Sequence, residues 1–178
     1  MDTPHYLPEI NTQRKGYSPS GVKKLFRDAV KIKNGDIELV LKDKRNNKGL
    51  IELWYASLLA LAVYKDTGKK FLIISGDGPD IHFLSQENVN SPQQDGFPIE
   101  IMELFSFEDP VFDGNYDKLA GNVWNKKGKK LYYKCHLLLI MRFVSGDFNI
   151  SKFSRCIGIY TWSYEKIWLG VYGRPESR

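Results

Sequence analysis

The chain has few of the residues that most directly mark a catalytic or structural metal site. It contains two cysteines, Cys135 and Cys156, and three histidines in 178 residues. Two cysteines so far apart form neither a metal knuckle nor a disulfide framework, and the scattered histidines lack the spacing of a zinc motif. Because both cysteines fall in apolar stretches, we expect reduced core cysteines in a cytoplasmic protein.

Long hydrophobic runs and phosphate-binding loops are also missing. The longest apolar run, Leu50 to Tyr64, carries Glu52 and is too short to cross a bilayer comfortably. The polar, proline-containing start of the chain predicts no signal peptide. Gly76-Asp77-Gly78 lacks the spacing and the following helix of a nucleotide-binding loop, and no G-x-S-x-G motif occurs. We therefore expect no membrane segment and neither of these two kinds of catalytic site.

The chain has the composition of an ordinary globular protein with a positive net charge. Hydrophobic residues make up 42% of the sequence and charged residues 26%, which is enough for one domain over 1–178 with a real core. The net charge of +5 is compatible with a polyanionic partner, although many basic proteins bind none.

The hydrophobic pattern predicts an α/β fold, with a single mixed sheet flanked by helices. After an irregular extension over 1–17, the predicted helices are Gly21–Lys31, Gly49–Tyr64 (apolar nearly all round, hence buried), Tyr116–Asn125 and the short Ser151–Cys156. The predicted strands are Phe71–Ile74, Asp80–Leu84, Ile99–Phe105 and Cys135–Met141, the last covered on both faces. Residues 157–178 are predicted to form an aromatic hairpin and a short tail. The segment 37–41 is open to either helix or strand.

Two acidic residues stand at the heads of short apolar strands. Asp80 follows Pro79, and Glu100 lies in the next strand. An acid in a strand gives up hydration, so it needs a partner or a metal. If the two strands pair as a hairpin, these carboxylates could hold one divalent cation between them. The alternative for Asp80 is that it caps the turn after Gly78.

Two further carboxylates have open roles. Glu52 either interacts favourably with the helix dipole near the start of its helix and points to solvent, or faces a site built from the strands. Glu100 and Glu103 fall on opposite faces of one strand by alternation, so only one of them should face Asp80.

These residues resemble the motif of the PD-(D/E)xK nuclease superfamily. That superfamily has a core of a helix, three strands, a helix and another strand, with Pro-Asp starting the second core strand and Glu-x-Lys on the third. Pro79-Asp80 matches the first element, and Ile99-Glu100-Ile101-Met102 matches the second except that Met102 replaces the lysine. The resemblance spans about residues 48–143. Glu52 would occupy the place of a glutamate that many members carry on the first core helix.

The resemblance implies a restriction-endonuclease-like core and metal-dependent hydrolysis of nucleic-acid phosphodiesters. Asp80, Glu100 and the carbonyl of Ile101 would hold Mg²⁺ or Mn²⁺, which lowers the pKa of a bound water. Glu103 or Lys118 would take the role of the missing lysine. Otherwise catalysis is lost, and the alternative function is a non-catalytic module that binds protein or nucleic acid on the same fold.

Basic clusters are the second feature that suggests nucleic acid. They suit phosphate contacts, which position a duplex without reading its sequence, although a solvated helix face and a soluble loop explain them equally well. The clusters are Lys23, Lys24, Arg27 and Lys31 on the first helix, and Lys126, Lys127, Lys129 and Lys130. The aromatic carboxy-terminal hairpin is predicted to cover the core or to form a homodimer contact, with base stacking as the alternative.

Overall fold

The computed structural model describes residues 15–76, 78–88, 96–105, 112–132, 134–142 and 148–172. Within these ranges, six strands form one mixed sheet in the order β1-β2-β3-β4-β5-β6, and five α-helices accompany them. The predicted α/β class with a single mixed sheet is therefore confirmed. None of the helices in the described ranges is long and apolar enough to span a membrane.

The chain divides into two compact units where the sequence predicts a single domain. The described residues up to Ile101 form the amino-terminal unit, and those from Met102 onward form the carboxy-terminal unit. The division falls within strand β4, Gly96–Glu103. No linker or change of composition marks it, which is why the sequence predicts no boundary there.

The amino-terminal unit begins with β1, which occupies Gly16–Tyr17 inside the segment that we expected to be irregular; residues 1–14 lie outside the described ranges. The other elements are α1 (Pro19–Ile32), α2 (Ile37–Lys42), α3 (Lys44–Thr67), β2 (Phe71–Ser75) and β3 (Ile81–Ser85). Strands β1 to β4 pair antiparallel in chain order.

Local sequence signals set the ends of these helices. The side chain of Ser18 accepts a hydrogen bond from the N–H of Gly21 at 3.1 Å, with Pro19 as the first helical residue of α1. The undecided segment 37–41 is helical because Asp36 caps it through the N–H of Leu39. Helix α3 ends at Gly68, whose φ of +74° is a left-handed conformation that favours glycine.

The prediction that the second helix is buried all round is only partly right. The middle of α3 is buried, and Trp54 stacks on Phe26 of α1 with ring centroids 4.4 Å apart. Near its end, however, Leu61 and Tyr64 are 47% and 45% exposed. The apolar pattern continues beyond the part of the helix that the other elements cover.

The carboxy-terminal unit contains α4 (Tyr116–Val123), which continues in a π-helical turn over Trp124–Gly128, followed by β5 (His136–Arg142), α5 (Ile150–Gly158) and β6 (Lys166–Tyr172). Every residue of β5 is buried, which confirms the predicted central strand. Strand β6 runs parallel to β5 over its full length.

The predicted aromatic hairpin over residues 157–172 does not form. Helix α5 continues to Gly158, and the described part of this segment holds one strand only, β6. The aromatic residues before β6 pack into the unit instead of forming a strand: Tyr160 stacks on Trp124, and the Nε1–H of Trp162 donates to the carbonyl of Ile157. Tyr160, Trp162 and Tyr164 occupy every second position, which is the spacing of a strand, and this spacing led to the prediction of a hairpin.

The contact between His136 and Trp168 predicts a pH-dependent stability. The Nε1–H of Trp168 donates to Nδ1 of His136 at 3.1 Å, which requires Nδ1 to be unprotonated. Burial lowers the pKa of His136 below its ordinary 6.5; the charge of Glu165 opposes this shift, and that of Lys166 adds to it. The folded protein thus binds this proton less readily than the unfolded chain does. We expect the contribution of His136 to stability to be complete above about pH 6.5 and to be lost as the pH falls toward the lowered pKa.

Denaturant unfolding between pH 5 and 8 measures this effect, with His136→Asn as the comparison. The asparagine amide oxygen can accept the bond from Trp168 but does not titrate. A variant whose free energy of unfolding falls with pH as steeply as that of the wild type would contradict the assignment to His136.

Candidate functional site

Asp80 is held at the head of β3 by hydrogen bonds at both its main chain and its side chain. Its carbonyl accepts the N–H of Gly76 at 2.8 Å, which closes the turn that contains Pro79. Its carboxylate Oδ2 accepts the N–H of Ile101 at 2.8 Å. One carboxylate oxygen therefore fastens the turn to β4, which is a structural role but differs from the turn cap that we gave as the alternative for Asp80.

Glu100 lies on β4 and is 1% exposed. The pairs between β3 and β4 include Ile81 with Ile99, so continuing the antiparallel register by one residue sets Asp80 opposite Glu100. Directly opposed residues point to the same face of a sheet. The expectation that these two acids hold one cation between them stays a prediction.

Glu52 makes an ion pair on its own helix. Its Oε1 lies 3.4 Å from Nζ of Lys48 one turn earlier, and the Glu52 side chain is 18% exposed. Lys48 is 72% exposed, so Glu52 pairs with a cation at the surface of α3. The pairing follows from their i, i+4 spacing.

No group of three or more His, Cys, Asp or Glu side chains that could hold a metal ion occurs in the described ranges. Asp80, Glu100 and Glu52 therefore do not form a ligand set of that size. A site made of two carboxylates and the carbonyl of Ile101 is smaller than this and stays a prediction.

Glu103 forms a buried ion pair that the sequence analysis missed. Its Oε2 lies 2.6 Å from Nη2 of Arg142 at the end of β5, and the two side chains are 13% and 5% exposed. The N–H of Leu104 donates to the carbonyl of Ile140 at 2.9 Å, which brings this part of the chain beside β5. The signal for it was a single arginine directly after the apolar run Cys135–Met141, where a buried charge requires an acidic partner.

Lys118 lies on the first turn of α4 and pairs with an acid of the preceding loop. Its Nζ is 3.0 Å from Oδ2 of Asp113, and both side chains are largely exposed. The N–H of Asn115 and the ammonium group of Lys118 hold the pKa of Asp113 below its usual value. Lys118 therefore acts in the structure as a partner of Asp113.

The basic face of α1 is open to solvent. Lys23, Lys24 and Arg27 are exposed, on the side opposite the buried Val22 and Phe26. The structure gives none of these three cations a carboxylate partner among the described residues, whereas Lys31 lies 3.9 Å from Asp28. Helix α1 therefore carries positive charge on one face and its core residues on the other.

The second basic cluster belongs to the π-helical turn after α4. Lys126 and Lys129 are exposed, whereas Lys127 and Lys130 are half-buried, and Nζ of Lys130 lies 5.6 Å from the ring centroid of Tyr132. The carbonyl of Lys130 also accepts the hydroxyl of Ser163. Of the four lysines, two therefore project fully into solvent.

An open depression of about 640 Å³ lies beside the start of α4 in the carboxy-terminal unit. Its lining includes Asp117, Lys152, Arg155 and Cys156. Partial burial raises the pKa of the Cys156 thiol, and a hydrogen bond to Asp117 and its negative charge raise it further. Since the thiolate is the nucleophilic form, Cys156 is poorly suited to thiol chemistry.

Comparison with protein-family models, with curated proteins and with solved structures found no match for this chain.

Proposed function

We propose that this chain is a nucleic-acid-binding module that contacts phosphates through the basic face of α1. One contrast supports this function. Lys23, Lys24 and Arg27 on that face have no ion-pair partner among the described residues, whereas Asp80, Glu52 and Glu103 are each bound by a protein group. Carboxylates that neighbouring groups already satisfy are what we expect of a binding module, and converging carboxylates are what we expect of an enzyme.

The proposal includes a restriction-endonuclease-like core from which catalysis has been lost. The order α3, β2, β3, β4, α4, β5 is the series of helix, three strands, helix and strand that the resemblance implies. Met102 stands where the superfamily carries its lysine. A cytoplasmic location also belongs to the proposal, supported by Cys135 and Cys156, which do not form a disulfide with each other.

The helix geometry suits a nucleic-acid backbone. Lys23 and Arg27 are one turn apart, about 6 Å along the axis, and Lys24 flanks them. The planar guanidinium of Arg27 can donate two parallel hydrogen bonds to one phosphate. Such contacts position the protein without reading bases, so we expect binding with little sequence preference.

The test is to replace all three α1 cations with glutamine and to titrate labelled DNA and RNA at several salt concentrations. We expect the variant to bind at least tenfold more weakly at low salt. The slope of the logarithm of the binding constant against the logarithm of the salt concentration should become less steep by about 2–3. Each lost phosphate contact lowers the magnitude of this slope by about 0.9 for a duplex and about 0.7 for a single strand. Fluorescence anisotropy measures both quantities.

The matched control removes three exposed lysines from another part of the same unit, Lys65, Lys69 and Lys70, also by glutamine. The change in net charge is identical, so a loss that depended only on total charge would be equal in both variants. Equal weakening, or a wild-type protein without affinity for nucleic acid at low salt, would contradict the proposal.

Metal-dependent phosphodiester hydrolysis is the second candidate, supported by the pairing of Ile81 with Ile99, which would set Asp80 opposite Glu100 if the register continued by one residue. The discriminating variant is Asp80→Asn, since the amide oxygen can still accept the N–H of Ile101 while the charge that a cation needs is removed. If the protein is a hydrolase, the wild type should cleave plasmid and single-stranded DNA with Mg²⁺ or Mn²⁺. The variant should then lose both cleavage and Mn²⁺ binding. A wild-type protein that cleaves neither substrate would favour the binding module.

A further inference from the structure

Strand β6 is the last strand in the order of the sheet and forms one of its edges. Its residues pair one to one with β5, from Lys166 with His136 to Tyr172 with Arg142, and no other described strand pairs with it. A strand that is bonded on one side leaves the N–H and C=O groups of alternate residues directed to the other side. Strand β6 therefore presents a row of backbone donors and acceptors that a further strand would satisfy.

This edge lacks the features by which proteins usually prevent strand addition. The sequence of β6 contains no proline, its pairing with β5 has no bulge, and its one charged residue is Lys166 at the beginning. Near its end, Val171 is 57% exposed. An edge with six uncharged residues in a row, which no other described strand covers, is typical of a strand that pairs with another chain.

The sequence of β6 is complementary to itself in the antiparallel direction. If two copies pair around Leu169, Ile167 of one copy lies opposite Val171 of the other, and Trp168 lies opposite Gly170. The first pair joins two apolar residues, and the second joins a large aromatic residue with a residue that has no side chain. Both are favourable cross-strand combinations, and an aromatic residue beside a glycine is a known way to stabilise a strand.

We propose that two copies of this chain associate through β6, antiparallel and centred on Leu169, into a two-fold dimer. The same strand serves both copies, so the assembly closes with two subunits. Pairing of β6 with β1 of another copy would offer only two residues and would leave further edges open. This interface goes beyond the proposed function, and it replaces the aromatic hairpin through which the sequence predicts a homodimer.

The first test is the mass of the protein in solution across a range of concentrations, by light scattering after size exclusion. We expect a mass that rises toward twice the 20.6 kDa of one chain. Val171→Lys introduces a charge opposite Ile167 of the second copy and should raise the dissociation constant at least tenfold. The control Ile159→Lys makes the same change at a residue of the same unit that is 72% exposed and outside the sheet. A wild-type monomer at all concentrations, or equal effects of both variants, would overturn the proposal.

The second test measures the register and does not depend on the first. In the double variant Ile167→Cys with Val171→Cys, each new thiol lies opposite a thiol of the other copy, so oxidation should give a covalent dimer. In Val171→Cys alone the two new thiols are four residues apart along the strands, about 13 Å, which is beyond disulfide reach. The native Cys135 and Cys156 are present in both variants, so their reactions cancel in the comparison. Equal cross-linking of the two variants, or none in either, contradicts the antiparallel register.

Discussion

Replacing Arg142 with leucine is expected to lower the free energy of unfolding by about 3–5 kcal/mol. The guanidinium of Arg142 lies 2.6 Å from the carboxylate of Glu103, and both side chains are largely excluded from water. Replacing Arg142 removes this cation from the largely buried carboxylate of Glu103, whereas an exposed ion pair is worth only about 0–1 kcal/mol. Denaturant unfolding followed by tryptophan fluorescence is suitable, because the carboxy-terminal unit contains Trp124, Trp162 and Trp168.

The control for this prediction is the doubly substituted chain. Glu103→Leu with Arg142→Leu removes both charges and replaces them with apolar groups, so we expect it to be more stable than either single variant. The difference between the double variant and the sum of the two single variants gives the coupling energy of the pair. Single variants that lose less than about 1 kcal/mol would mean that water screens the pair in solution.

Gly76→Ala is expected to destabilise the amino-terminal unit by about 1–3 kcal/mol. A Cβ at this position would overlap the carbonyl oxygen of Pro79 and would also approach the His82 ring to 3.2 Å. The overlapping atom belongs to the backbone, so no rotation of a side chain relieves the contact. Because the N–H of Gly76 bonds to the carbonyl of Asp80, the substitution should also displace the Asp80 carboxylate from Ile101. The free energy of unfolding and the amide chemical shift of Ile101 measure the two effects.

Gly49→Ala provides a control in the same unit with the opposite expected sign. Gly49 lies within α3, and no atom lies within 4 Å of the position of an added Cβ. Alanine favours a helix over glycine by about 0.5–1 kcal/mol, so this variant should be more stable than the wild type. If the two alanine variants had equal stabilities, the close approach at Gly76 would not be present in solution.

The two candidate sites differ in how far the sequence could predict them. The basic face of α1 follows from a helical period of 3.6 residues, since Val22 and Phe26 must face the core and Lys23, Lys24 and Arg27 then face away. The carboxylate site depends on partners distant in the chain. Asp80 meets the N–H of Ile101 and Glu103 meets Arg142, and no local pattern of residues contains either contact.

The sequence by itself determined those features of the fold that depend on neighbours within a few residues. The cap of α1 at Ser18, the cap of α3 at Gly68 and the apolar run Leu137–Met141 of β5 each have a local physical cause, and the structure contains all three. The α/β class follows from the order of these elements along the chain.

Only the tertiary structure decided how the carboxy-terminal segment pairs and which charges meet. Aromatic residues before β6 pack onto Trp124 and α5, and β6 joins β5 in parallel, although their spacing is equally that of a hairpin. A residue such as Glu103 has the same neighbours in the sequence whether its side chain faces a basic side chain, a metal ion or water. Its role is set by burial beside Arg142, because the cost of an uncompensated charge depends on the whole fold and not on adjacent residues.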